Sequence, residues 1–154
     1  MKQKMKANYS PTERKGKLVE VSLFKNNKLS YSLILFSILT ELIYTIVILG
    51  NIATDYMMGA ITMFNIAVLF VLFTTAVRVN VYSLGWTKTA GAFGIYMVIR
   101  AVLVVPVILK PTGQFTTIYG MIIATAVLLF IASFISYKRI TVRTKLINSK
   151  ERVE

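Results

Sequence analysis

Residues 31–52 read YSLILFSILTELIYTIVILGNI, twenty-two residues in which Glu41 is the single charge. A helix rises 1.5 Å per residue, so this stretch reaches about 33 Å, enough for a hydrocarbon core about 30 Å thick. Three later stretches meet the same test: 57–77 (MMGAITMFNIAVLFVLFTTAV), 89–109 (TAGAFGIYMVIRAVLVVPVIL) and 115–137 (FTTIYGMIIATAVLLFIASFISY). None shows the strict alternation over about 10 residues that marks a barrel strand. The connections between them run to 4, 11 and 5 residues, too short for anything but antiparallel neighbours. The expected fold is an all-α membrane protein, a four-transmembrane-helix antiparallel bundle spanning 31–137.

Composition agrees. The 154 residues are 56% hydrophobic and 16% charged, against about 25% charged in soluble domains. Most of that charge lies in two tails. Residues 1–30 carry eight Lys/Arg and two Glu, and residues 137–154 carry six Lys/Arg and two Glu. The 106 residues between hold four basic residues and two acids, Glu41 and Asp55, too few to cover a water-facing surface.

Placement of Lys and Arg sets orientation, because the cytoplasmic side carries the excess. The N-tail, the connection with Arg78 and Lys88, and the C-tail from 138 to 154 together hold sixteen; the other two connections hold Lys110 alone. Both termini are therefore expected in the cytoplasm. The basic stretch before the first span is too long for a cleavable signal peptide. The expected address is multi-pass integral, in the cytoplasmic (plasma) membrane of a prokaryote, with tails near anionic lipid headgroups. No nucleic-acid-reading module accompanies the basic charge, so no nucleic-acid partner is expected.

The chain has no Cys and no His. Imidazole and thiolate metal sites, disulfides and His-dependent nucleophilic catalysis are thereby excluded. With two acids between the tails there is little for general acid–base work, so neither an enzyme nor a cofactor or metal site is expected.

Two ionisable residues fall inside spans at matched depth. Glu41 lies about 15 Å, and Arg100 about 16 Å, from the cytoplasmic ends of their helices by helical rise. Either one facing lipid would cost about 2.5–3.5 kcal/mol, so each is expected to face inward and to meet the other. Ser37, Glu41 and Tyr44 share one helix face, and Asn65 lies near mid-depth on the second helix. Tyr96 precedes Arg100 by one turn, and Pro106 frees the Val102 carbonyl. The expected intramembrane polar cluster is Glu41, Asn65, Tyr96 and Arg100. Small residues four apart, Ala90/Gly94, Gly120/Ala124 and Ala132/Ser136, mark places where helices can approach closely.

Such a cluster has two readings. Buried polar groups specify which helices pair and in what register; intramembrane charges also mark transport pathways. The leading expectation is a non-enzymatic accessory, anchoring or regulatory subunit that assembles with other membrane subunits or as a homo-oligomer. The alternative is a small oligomeric transporter or channel using a Glu41/Arg100 site. In outline, four helices with a carboxylate in the first resemble the small multidrug transporters. This chain is longer, its charge bias forbids dual orientation, and Arg100 neutralises the carboxylate.

Overall fold

A computed structural model describes residues 27–49, 55–104 and 115–151. The tails 1–26 and 152–154, the connections at 50–54 and 105–114, and with them Lys110 and Pro106, lie outside the described residues. What is described is all helical, without strands: α1 (Lys28–Leu49), α2 (Asp55–Asn80), α3 (Leu84–Ile99, continued by a π-turn over Arg100–Val104) and α4 (Phe115–Glu151). Three of the four are long and apolar enough to cross a membrane, with mean hydropathies of 2.3, 2.2 and 2.4 over Lys28–Leu49, Gly59–Asn80 and Thr116–Lys145. The helices fit a small membrane protein.

Each helix buries a stripe at the 3,4 spacing of helices packed nearly along one another. On α1 the stripe is Ser30, Ile34, Ser37, Glu41, Tyr44, Thr45 and Ile48. Four of these seven are Ser, Thr or Glu, while Phe36, Leu39, Ile43 and Ile46 point outward. That is the inverse of a soluble helix. An apolar exterior with hydroxyls and charge inside suits a helix whose surroundings are hydrocarbon.

Cross-helix contacts show that neighbours run antiparallel. Asn27 N–H donates to the Asn80 carbonyl (3.0 Å), tying the start of α1 to the end of α2. Thr40 and Thr125 share a hydroxyl–hydroxyl bond of 2.7 Å between α1 and α4, while Arg139 further along α4 donates to Asn27 Oδ1 (3.0 Å). Thr87 and Ser136 share one of 2.9 Å between α3 and α4. α4 packs on both α1 and α3, and α1 packs on α2; the seam between α2 and α3 is the thinnest of the four.

The α3–α4 contact shows why small residues matter. Ala90, Gly94, Ala132 and Ser136 are all buried there. A Cβ built on Gly94 would lie 3.0–3.1 Å from three atoms of the Phe130 ring, and one on Gly91 would lie 3.0 Å from Ser133 Oγ. Ser133 uses that space to donate to the Thr87 carbonyl (2.9 Å). The pair Gly120/Ala124 behaves differently: Ala124 is exposed, and nothing approaches within 4 Å of where a Gly120 Cβ would sit.

The helices outrun the apolar stretches. α2 continues through Arg78 to Asn80 and α3 begins at Leu84, so the connection read as 11 residues contains a turn of only three, 81–83. Hydropathy marks where hydrocarbon ends, and a helix can continue into the polar interface beyond it. The turn closes with Ser83 N–H on the Arg78 carbonyl (3.2 Å) and Tyr82 N–H on the Val79 carbonyl (3.1 Å). This is a Schellman cap, whose left-handed residue is usually glycine. Here it is Tyr82 (φ 63°), and the Arg143 guanidinium of α4 lies 4.8 Å above its ring.

Candidate intramembrane polar site

Arg100 sits at the start of the π-turn, where its own N–H is shared between the Met97 and Tyr96 carbonyls. Its guanidinium crosses the bundle interior. Nη1 donates to Glu41 Oε1 on α1 (2.5 Å) and Nη2 to Asn65 Oδ1 on α2 (2.5 Å). The Tyr44 ring of α1 lies beneath it, 4.4 Å from guanidinium carbon to ring centroid. One side chain from α3 thus joins the two helices that face it.

The site is dry. The Arg100 side chain is 4% exposed and that of Glu41 is 0% exposed. By helical rise Glu41 lies about 20 Å from the start of α1, and Asn65 about 22 Å from the end of α2. Coulomb attraction at such depth is weakly screened, and opposite charges in contact remove the uncompensated charge either would carry alone. Two polar atoms of this cluster, Glu41 Oε2 and Asn65 Nδ2, have no hydrogen-bond partner among the described residues. Both belong to side chains already held on neighbouring nitrogens of the same guanidinium.

Of the four residues read from the sequence, three meet directly: Glu41, Asn65 and Arg100. Tyr96 is close by without a hydrogen bond to them; its ring packs with Phe64 (centroids 6.2 Å) and edge-on to Phe93 (6.1 Å). The hydroxyls flanking Glu41 turn elsewhere. Ser37 donates to the Ile34 carbonyl (2.7 Å) and Thr45 to the Glu41 carbonyl (2.8 Å), each on its own helix. Tyr44 is the contributor that the sequence left out of the cluster. Its position three residues after Glu41 was the available signal. Among the described residues no three metal-ligating side chains come together.

Two adjoining cavities open along the α2–α3 seam. One, of about 500 Å³, lies among apolar side chains including Ala67, Val71, Ala92 and Phe93. The other, of about 360 Å³, reaches Tyr44, Asn65 and Arg100. Phe64 and Tyr96 line both.

No protein-family model, curated protein or solved structure matches this chain. Its chemistry rests on its own geometry.

Proposed function

We propose that this is a non-enzymatic four-span membrane protein, both termini and the 81–83 turn cytoplasmic, acting as an accessory, anchoring or regulatory subunit of a larger membrane complex. The observation that carries this reading is the enclosure of the ion pair. A carboxylate meant to exchange a proton or cation must meet water on at least one side, whereas Glu41 is 0% exposed and bonded to Arg100. That arrangement suits a latch that fixes which helices pair and in what register.

The orientation is supported by where the cations lie. Lys28, Arg78, Lys88, Lys138, Arg139, Arg143 and Lys145 belong to the end of the bundle defined by the Asn27–Asn80 and Arg139–Asn27 bonds. Reporter fusions after residue 30, within 81–83 and at the C-terminus should read cytoplasmic, and those at 53–54 and 111–113 external. An inner site reading external overturns the four-span topology.

A transporter or channel is favoured by one observation, the 360 Å³ cavity that touches Arg100 and Asn65. Reconstituted alone in liposomes, the protein is expected to pass protons and ethidium no faster than empty vesicles. From native membranes in mild detergent it should migrate with other subunits. Flux lost on Glu41→Gln, together with migration as the 17.3 kDa chain alone, replaces the subunit reading with the transport one.

A further inference from the structure

The α2–α3 seam has features that a structural latch does not require. α2 and α3 are joined by the three-residue turn 81–83, yet their seam is the thinnest of the four. Ala67 and Ala92 face each other's helices from exposed positions and leave the groove open to the bundle's outer surface. From Ala60 to Val71 the two cavities extend about 16 Å along the helix axis. One end is apolar; the other is walled by Asn65 and Arg100.

The polar end specifies the ligand. Asn65, buried and lining the cavity, has an unpartnered amide nitrogen that can donate. Arg100 and Glu41 already neutralise one another, so a phosphate or carboxylate head would add an uncompensated buried charge. A hydroxyl adds none, and it can accept from Asn65. We propose that the seam binds a neutral, single-chain lipid alcohol. Its chain lies in the groove beside Ala67, Val71, Ala92 and Phe93, and its hydroxyl reaches Asn65 past Phe64 and Tyr96. This goes beyond the subunit reading and does not rest on it.

The test uses the full chain in nanodiscs with a diazirine-bearing hexadecanol as probe, and diazirine-bearing palmitate at pH 8 as the anionic comparator. Hexadecanol should label residues 64–71 and 89–96 saturably, about tenfold more than palmitate, as expected for a neutral head at a site with no spare positive charge. Ala92→Trp fills the groove from an exposed position and should abolish the saturable labelling. Asn65→Leu should lower it by about two- to tenfold, the worth of one neutral hydrogen bond. Equal labelling by both probes, or labelling indifferent to Ala92→Trp, overturns the proposal. So does near-complete disulfide dimerisation of Ala92→Cys in native membranes, because the seam would then be covered by a second copy; the chain's lack of cysteine makes that readout clean.

Discussion

Arg100→Ala should lower the unfolding free energy by about 3–5 kcal/mol, measured by SDS titration of the protein in detergent micelles. The substitution strands the Glu41 carboxylate, 0% exposed, and removes the donor to Asn65 Oδ1 in the same step. Glu41→Ala should cost a comparable amount by stranding the guanidinium. The double variant Glu41→Leu/Arg100→Met should recover most of either loss, because replacing a buried ion pair by apolar groups of similar size is often neutral or better. The diagnostic quantity is the coupling between the two sites. Residues in direct contact couple by about 0.5–3 kcal/mol, and the single losses adding to within about 0.5 kcal/mol would remove the latch from the account.

Glu41 and Arg100 were legible as a pair because the bilayer acts on composition. Charge is so costly at depth that two opposite charges at matched depth have few arrangements open to them. Depth follows from counting residues, since helical rise is fixed. The same reasoning placed Asn65. It places residues along the axis, and the remaining uncertainty is rotational. Whether Tyr96 or Tyr44 faces the guanidinium depends on how α1 and α3 are turned about their own axes. Packing places Tyr96 with Phe64 and Phe93, while Tyr44 takes the position under Arg100.

Helix ends were less legible than spans for a related reason. Thr89 opens the third apolar stretch, yet α3 already begins at Leu84. There Thr87 Oγ1 and N–H both return to the Ser83 carbonyl (2.9 and 3.0 Å). A polar residue followed by Leu84, Gly85 and Trp86 is ambiguous to a hydropathy reading. The backbone nevertheless keeps its helical bonds, because a span must satisfy its own N–H groups before it enters hydrocarbon. Small residues divide in the same way: four-residue spacing occurs at Ala90/Gly94 and at Gly120/Ala124 alike, and only the partner helix determines which is a contact.

Tyr44 yields the second large effect, and its substitutions separate packing from charge. Its side chain is 1% exposed and among the largest fully buried ones. Tyr44→Ala should cost about 3–5 kcal/mol, the usual range for deleting a buried aromatic side chain, since the cavity would open beneath the guanidinium. Tyr44→Leu keeps much of the volume but removes the ring face, and should cost about 2 kcal/mol, the worth of a desolvated cation–π contact. Tyr44→Phe keeps the face and should stay within about 1 kcal/mol of the parent protein. Repeating Tyr44→Leu in the Glu41→Leu/Arg100→Met background supplies the control. With no cation above the ring, the cost of losing the ring face should vanish, whereas a cost due only to packing should persist undiminished. A persistent cost would show that Tyr44 merely fills space beneath Arg100, and the latch would then consist of the Glu41 and Asn65 bonds alone.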